Sequence, residues 1–291
     1  MEVQEYILDN KKDFNSTHIF ECGQCFRWNR VADGSYIGVI KNSVLEVREE
    51  NGKIIFMGVS DRDIKDVVWE YFNLDVDYSK IKSDLSNIDA FLKNSITYGD
   101  GIRILKQDIF ETIISFIISA NNNIPRIKKI IENISKEYGK KIEYNGKEYY
   151  LFPTVEELSK ASVEDFRRLG LGFRDQRVYN TTKMILERKF DIKSLSELND
   201  SSVIRQKLLE LDGVGPKVAD CILLFGFNRY EVFPIDVWVR RVMNNLYIKN
   251  EEESKVSRVQ IEKLAVDKYG KLAGLAQQYL FYWERERSKT S

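Results

Sequence analysis

Histidine, cysteine and proline are all scarce in this sequence. Its 291 residues include one histidine (His18), three cysteines and four prolines. Three cysteines are too few for a disulfide framework, so the thiols are expected to stay reduced, as they do in the cytosol. Cys22 and Cys25 form a CxxC pair, but the sequence has no second pair to complete a tetrahedral zinc site. We therefore expect ordinary buried thiols and no metal centre.

Long apolar runs and net charge are absent as well. No run is long enough to cross a bilayer, and the opening MEVQEYILDN lacks the basic segment of a signal peptide, so a cytoplasmic protein is expected, associated with the nucleoid if prokaryotic. The 45 basic and 45 acidic side chains argue against a protein that coats DNA by charge alone. Residues 1–100 carry 12 basic and 18 acidic side chains, whereas residues 101–200 and 201–291 each have a basic excess of three. That excess coincides with the motifs described below, although it is also typical of a solvated surface.

The pattern of apolar residues changes along the chain. Residues 25–57 alternate apolar and polar side chains around Asp33-Gly34 and Asn51-Gly52, which predicts an antiparallel meander. From Asp61 onward the spacing is helical, residues 108–118 predict a buried central helix, and Asn145-Gly146 predicts one small hairpin. Thr154 and Ser162, each followed by acidic residues, predict helix starts.

These patterns predict an α+β fold with an antiparallel β-rich N-terminal domain and two mostly α-helical domains. The first domain is expected at residues 1–100, together with the first linking helices. A helical domain with an Asn-rich turn is expected at 101–199. A helix-hairpin-helix unit with the C-terminal helices is expected at 200–291.

The segment LLELDGVGPKVADCILLFGFNRYEVFPIDVWVRR, residues 208–241, is the most informative part of the chain. A short helix is predicted to end near Asp212, Gly213 and Gly215 are expected to supply the positive φ angles of a tight hairpin, and Pro216 suits the first position of the next helix. This is a helix-hairpin-helix pattern. The glycines leave backbone N–H groups uncovered beside a helix N-terminus, where they can bind a phosphate without recognising the base.

Lys217 opens the second helix of this motif, and two carboxylates are candidates to act with it. From spacing alone, Lys217 is equally well a phosphate contact or an amine nucleophile. Asp236, nineteen residues later, is either a reacting carboxylate or the N-cap of the following helix, and the two roles are compatible. Asp220 is the rival carboxylate, because it lies three residues after the lysine on the helix.

GVGPKVAD followed by PIDVWVRR resembles the helix-hairpin-helix, Gly/Pro-rich loop and aspartate signature of the DNA base-excision glycosylases. Members with a lysine at this hairpin position cut both the base and the strand. Three further segments, GQCFRW (23–28), SANNNIPR (119–126) and AGLAQQYLF (273–281), resemble those of 8-oxoguanine DNA glycosylases. The four-cysteine iron–sulfur loop that is frequent in endonuclease III and adenine glycosylases is absent from the sequence.

The resemblance implies roles for the reacting residues. Lys217 would form a Schiff base, which requires its pKa to fall, and we expect burial and exclusion of water by the flipped nucleotide to lower it. Asp236 would stabilise the oxocarbenium-like sugar and help to activate the lysine. The partner would be double-stranded DNA containing 8-oxoguanine, bound by a monomer. No cofactor would be required, and a cation on the hairpin carbonyls is left open.

The resemblance also implies a base pocket, in which the Gly23 carbonyl accepts the ring N–H that only oxidised guanine has. Cys221 and Phe281 would cover the two faces of the base, and Gln277 would bind its Watson–Crick edge. From sequence alone, Phe281 is more often a core residue than a pocket residue, and Gly23 could be a turn glycine.

The remaining DNA contacts are implied on both sides of the lesion. They are Asn121, Arg126, Phe173, Arg174, Gly213, Gly215 and Trp238. The NNN segment alone could be a helix-capping turn. Phe173 stands where the animal enzymes have tyrosine, and Trp238 where they have histidine, so strict preference for cytosine opposite the lesion is not implied. Two alternatives stay open: a glycosylase for another oxidised base, and a non-catalytic module that only binds DNA.

Overall fold

The N-terminal part of the chain is built on a five-stranded antiparallel sheet. The computed structural model describes residues 1–9 and 12–290, and the side chains of these residues up to 288. The strands are β1 (Gln4–Leu8), β2 (Trp28–Arg30), β3 (Tyr36–Ile40), β4 (Ser43–Glu50) and β5 (Lys53–Val59). They lie in the order β1-β5-β4-β3-β2, with every pair antiparallel. The predicted turns fall between β2 and β3 and between β4 and β5, so the meander is confirmed; β1 was not predicted.

Among the described residues, six helices lie in this half of the chain, and the first two contribute side chains to the core of the sheet. They are α1 (Ser16–Glu21), α2 (Ile64–Tyr71), α3 (Tyr78–Ser86), α4 (Ala90–Tyr98), α5 (Ile109–Ser119) and α6 (Ile124–Tyr138). All six begin at an Asp or Asn whose side chain accepts a hydrogen bond from a backbone N–H of the first turn, and α5 is capped in this way by Asp108. Every residue from Thr112 to Ile118 is buried, which confirms the predicted central helix.

A second, smaller sheet separates these helices from the later ones. It consists of β6 (Lys141–Tyr144) and β7 (Lys147–Tyr150). Asn145 and Gly146 between them both have positive φ, as a two-residue type I′ turn requires, so the predicted hairpin is confirmed. The predicted helix starts at Thr154 and Ser162 are also confirmed, since both residues form complete capping boxes.

The rest of the chain is helical. The helices are α7 (Val155–Leu158), α8 (Val163–Arg168), α9 (Asp175–Leu186), α10 (Ile192–Ser196), α11 (Ser201–Leu208), α12 (Pro216–Phe225), α13 (Val237–Met243), α14 (Arg258–Tyr269) and α15 (Ala273–Thr290). The α+β fold class is thereby confirmed. In the described part of the chain, no helix has both the length and the apolar character needed to span a membrane.

Two hydrophobic cores meet where the sheet adjoins the helices. The sheet has its own core, in which Phe20 stacks on Trp28 with ring centroids 4.0 Å apart. A larger core joins α5, α12 and α15, and it includes Cys22 and Phe26 from the segment before β2. The segment after α1 therefore belongs to both halves of the molecule, and this places Gly23 beside the C-terminal helix.

Candidate active site

The helix-hairpin-helix is present, with two corrections to its predicted geometry. Helix α11 ends at Leu208, four residues before Asp212, because the chain then turns through residues 209–213. Gly213 has φ +85°, as expected, and a Cβ there would lie 2.9 Å from Cδ of Arg177. The expected positive φ at Gly215 is wrong: its φ is −90°, because it is the N-cap of α12.

Gly215 nevertheless leaves the start of α12 uncovered. A Cβ built on this residue would meet no atom within 4 Å. Pro216 occupies the first position of α12, where its missing N–H costs no hydrogen bond. The first N–H groups of α12 therefore face open space, at the end of the helix where the dipole favours an anion.

Lys217 lies in the first turn of α12, largely buried, with its Nζ 5.4 Å from the centre of the Phe116 ring. Burial opposes its positive charge, but the neighbouring Cys221 and Asp236 side chains outweigh burial, and the pKa of Lys217 is raised above its ordinary value. We expected burial to lower it. Burial acts in the expected direction, but without a bound nucleotide the Cys221 and Asp236 side chains favour the ammonium more than burial disfavours it. The further lowering by a flipped nucleotide stays a prediction.

Asp236 caps helix α13, and its carboxylate accepts a hydrogen bond from the Val239 N–H at 2.8 Å. It is also one of the charges that act on Lys217. Asp220 does neither. Its carboxylate is shared by Arg205, 2.7 Å away, and by Arg258, so it ties α11, α12 and α14 together. The structure therefore favours Asp236 over Asp220 as the partner of the lysine.

Gly23 and Phe281 lie side by side, although 258 positions separate them in the sequence. Gly23 has φ +86°, and a Cβ on it would lie 3.6 Å from Cε1 of Phe281. The neighbouring Gln24 holds the turn in place: its side chain donates to the carbonyls of Ile19 and Arg103 and accepts from the Leu105 N–H. The GQCFRW and AGLAQQYLF segments thus meet in the folded chain.

The other predicted pocket residues come from α12 and α15. Cys221 is buried in the core against which Phe281 packs, and burial raises the pKa of its thiol to about 11. Gln277 is buried, and its Oε1 accepts a hydrogen bond from Nε2 of Gln278 at 2.8 Å. Gly274 lets α15 approach α12 closely, since a Cβ there would lie 2.7 Å from Cδ1 of Leu224.

The Asn-rich turn lies between α5 and α6. Asn121 is exposed and has φ +51°, a left-handed conformation that asparagine tolerates better than most residues. Asn123 caps α6 by accepting from the Arg126 N–H, so the helix-capping role is real. Arg126 is exposed, and its guanidinium donates a long 3.4 Å hydrogen bond to the Gly170 carbonyl. Asn121 and Arg126 therefore occupy the same exposed turn.

Arg174 supports this turn from behind. It is only 2% exposed and donates to the Ala120 carbonyl from Nε at 2.8 Å and to the Asn121 carbonyl from Nη2 at 2.8 Å. Its guanidinium also lies 4.1 Å from the centre of the Phe173 ring, which is 56% exposed. Phe173 and Arg174 thus share one platform, on which only Phe173 faces solvent. A direct contact between Arg174 and DNA stays a prediction.

Trp238 follows Asp236 by two residues and is 42% exposed, with the guanidinium of Arg241 5.2 Å from its ring. A contact between Trp238 and DNA stays a prediction. Among residues 1–9 and 12–288, no three histidine, cysteine or acidic side chains are grouped so as to hold a metal ion. Cys22 and Cys25 are buried, and burial raises the pKa of both thiols.

Two family models match the chain in succession. Residues 6–113 match the N-terminal domain of 8-oxoguanine DNA glycosylase, and residues 114–265 match the HhH-GPD superfamily of base excision DNA repair proteins. The chain belongs to the 8-oxoguanine DNA glycosylase family.

Similar proteins agree with this family over nearly the whole chain. A structure of the Clostridium acetobutylicum 8-oxoguanine glycosylase/lyase, in complex with DNA containing cytosine opposite the lesion, is 42% identical; the match covers 99% of both chains with a TM-score of 0.92. A structure of MBOgg1 with a low-affinity DNA ligand is 43% identical, covering 99% of this chain and 100% of that one, with a TM-score of 0.92. The N-glycosylase/DNA lyase of Saccharomyces cerevisiae is 32% identical over 94% of this chain and 84% of its own length.

Two side chains at the site were not predicted from the sequence. Gln278 contacts Gln277, and Arg285 lies beside both Gly23 and Phe281. Helical spacing could have indicated Arg285, because it is four residues after Phe281 and so shares its face of α15. The resemblance implied that Phe281 and Gly23 share a pocket, but it assigned no role to Arg285.

Proposed function

We propose that the chain flips 8-oxoguanine out of duplex DNA, releases the base through a Schiff base at Lys217, and nicks the abasic site. The family and its glycosylase/lyase relatives support the substrate and both activities. The single observation that carries the site assignment is the meeting of Gly23 with Phe281. It brings the Gly23 turn and an aromatic ring together, which supports a shared base pocket, and the charge of Asp236 acts on Lys217 at the hairpin.

In the proposed reaction, the neutral amine of Lys217 attacks the anomeric carbon of the damaged nucleotide. The glycosidic bond breaks, the base leaves with its bonding electrons and takes up a proton, and opening of the sugar ring gives a Schiff base. Loss of a proton from the 2′ carbon then expels the 3′ phosphate by β-elimination. Asp236 stabilises the positive charge that develops on the sugar, which suits a carboxylate held rigidly at a helix N-terminus.

Lys217 must lose a proton before it can attack, and its raised pKa sets the conditions for that step. Asp236 keeps the lysine charged in the protein alone, so the proton has to leave when the nucleotide is in place. Exclusion of water by the flipped nucleotide would strengthen the burial effect that already opposes the charge. Proton loss is thereby coupled to occupancy of the pocket.

We further propose that double-stranded DNA binds across the hairpin and the Asn-rich turn. The hairpin glycines contact the lesion strand, the platform of Phe173 and Arg174 contacts the opposite strand, and Trp238 lies beside the backbone. In this proposal the protein acts as a monomer in the cytoplasm and requires no cofactor. Its three domains comprise residues 1–100, 101–199 and 200–291. A cation on the hairpin carbonyls would be an addition to this scheme rather than part of the chemistry.

The experiment uses a duplex with one 8-oxoguanine opposite cytosine, incubated with the wild type and Lys217→Gln, with and without borohydride. Wild type is expected to nick the strand and to form a covalent adduct on reduction, and the variant is expected to do neither. Lys207→Gln is the matched control, because this exposed lysine on α11 forms a surface salt bridge with Glu210.

The alternatives predict other results. An intact 8-oxoguanine duplex combined with cleavage of a duplex carrying an oxidised pyrimidine would indicate another substrate. Binding without cleavage of any of these duplexes would indicate a non-catalytic module. Trapping that persists in Lys217→Gln would transfer the nucleophile to another amine.

A further inference from the structure

Arg285 connects the two sides of the base pocket. It lies on α15, one turn after Phe281, and its guanidinium is 5.4 Å from the centre of the Phe281 ring. Its Nη2 donates to the carbonyl of Glu21, the last residue of α1. Its Nη1 is the atom nearest to the position that a Gly23 Cβ would occupy, at 3.5 Å. One side chain therefore contacts both Phe281 and the turn that carries Gly23.

The guanidinium is itself held in place. Glu286 accepts hydrogen bonds from Nε and Nη2 at 3.0 and 2.9 Å, and the Arg285 side chain is only 16% exposed. Its charge also suits the site, because a cation at the C-terminal end of α1 interacts favourably with the helix dipole. An arginine whose Nε and Nη2 are both hydrogen-bonded, and whose side chain is mostly buried, is more restrained than the arginines of an ordinary surface.

We propose that Arg285 is a positioning residue for recognition of the damaged base. It fixes the Gly23 carbonyl relative to the Phe281 ring, and so sets where the ring N–H of 8-oxoguanine must arrive when the base is stacked. This inference rests on the proposed function of Gly23 and Phe281 and adds a residue outside both of their sequence segments.

The physical reason is that Gly23 has only a small chemical difference by which to distinguish the two bases. Oxidised and normal guanine differ at this edge by one N–H, so discrimination depends on a single hydrogen bond, whose geometry tolerates only a few tenths of an ångström. The Gln24 side chain fixes the turn against the protein interior through the carbonyls of Ile19 and Arg103. Arg285 adds a contact that reaches both the turn and the Phe281 ring.

The test compares base release with strand cleavage at a site that has no base. Wild type, Arg285→Ala and Arg285→Lys are assayed in single turnover on an 8-oxoguanine:cytosine duplex and on a duplex with a preformed abasic site. Arg287→Ala is the matched control: Arg287 lies two residues later on the same helix, its side chain is 56% exposed, and it forms an ion pair with Glu284. Phe281→Ala, tested in parallel, checks the pocket itself.

We expect Arg285→Ala to slow base release about tenfold or more, since small misplacements near a reacting centre have effects of this size. Cleavage of the abasic duplex and the affinity for DNA are expected to stay within about twofold, because Lys217 and the hairpin are untouched. Arg285→Lys is expected to recover part of the rate, as an ammonium can keep the Glu21 contact without the planar fork.

Equal rates of base release for Arg285→Ala and the wild type would overturn the proposal, as would equal losses on both duplexes with an unchanged melting temperature. If Arg285→Ala fails to fold, Arg285→Lys decides by the same comparison. If Phe281→Ala releases the base slowly and Arg285→Ala releases it at the wild-type rate, the pocket is supported and only the positioning role of Arg285 is rejected. Base release at the wild-type rate by Phe281→Ala would instead contradict the pocket.

Discussion

Asp236 is the residue in which a structural role meets a proposed chemical one. Its carboxylate accepts the Val239 N–H as the N-cap of α13, and its charge acts on Lys217. Both roles need an oxygen at the same place, but only the second needs a negative charge. The two can be separated, because asparagine is as good an N-cap as aspartate.

Asp236→Asn is therefore expected to fold with an unchanged melting temperature and to release the base more slowly by a factor on the order of 10². Asp236→Ala should lose the cap as well, at a cost of about 1 kcal/mol in the free energy of unfolding. Single-turnover base release and thermal unfolding of both variants measure the two effects. A fast Asp236→Asn enzyme would leave this aspartate with capping alone.

The two hairpin glycines show that a sequence pattern alone does not determine the backbone conformation of each residue in an element. Both were expected to have positive φ, yet only Gly213 has it. Gly213 is required by its backbone conformation and by the side chains of Ile117 and Arg177 packed against it. Gly215 has an ordinary conformation and open space around it, so its lack of a side chain matters only for what approaches from outside.

Gly213→Ala is expected to destabilise the fold by about 1–2 kcal/mol, because alanine disfavours the left-handed region, and crowding adds to this cost. Gly215→Ser should leave stability nearly unchanged, since serine is a good N-cap, but should weaken DNA binding severalfold by occupying the approach to α12. Denaturant unfolding and anisotropy titration with a labelled duplex give the two quantities. Full affinity in Gly215→Ser would mean that no phosphate approaches there.

Local signals explain which elements could be predicted. The turns Asn51-Gly52 and Asn145-Gly146 determine their hairpins through φ preferences alone, and the caps Thr154 and Ser162 mark helix starts through their own hydrogen bonds. Strand β1 has no such signal, because it is defined by its pairing with β5. β1 is an edge strand, and its pairing with β5 is seen only in the folded sheet.

The candidate site shows the same division. Lys217, Asp236 and Gly23 were indicated by motifs, since each lies in a short segment with a recognisable pattern. The burial of Arg174 behind the Asn-rich turn and the pairing of Asp220 with Arg205 and Arg258 depend on contacts between distant helices. Sequence spacing does not contain those contacts.

At the scale of the whole molecule, Glu111 lies where the sheet and the helices join. It stands in the first turn of α5, with its Oε1 4.0 Å from Nε of Arg27, and Arg27 in turn donates to the Ser135 hydroxyl of α6 and to the Tyr150 carbonyl of β7. Burial raises the pKa of Glu111 to about 7, and the nearby Arg27 only partly offsets this effect. The junction therefore contains a carboxyl group that titrates near neutral pH.

A raised carboxyl pKa makes folding less favourable as the pH increases. Below the pKa of about 4.5 that an unfolded glutamate has, both states are protonated and nothing is lost. Between pH 4.5 and pH 7 the unfolded chain loses this proton while the folded protein still holds it, so the free energy of unfolding falls. The loss reaches about 3 kcal/mol above pH 7, where the folded protein must ionise the buried group too. Glu111→Gln removes this cost, so the variant should gain stability over the wild type at pH 8 and much less at pH 5.

Urea unfolding of both proteins between pH 5 and 8 measures the difference. Glu157→Gln, in which the replaced carboxylate lies in the capping box of α7, is a control far from the junction. A constant difference between Glu111→Gln and the wild type across this range would mean that the carboxyl is already ionised at pH 5.

All three cysteines are buried, and burial raises the pKa of each thiol, to about 11 for Cys22 and Cys221 and well above the ordinary value for Cys25. Oxidants attack thiolates, and at neutral pH these sulfurs are protonated and out of reach. The guanine lesion itself is a product of oxidative stress. The thiols of a repair enzyme built in this way are therefore expected to react slowly with the peroxides that accompany its substrate.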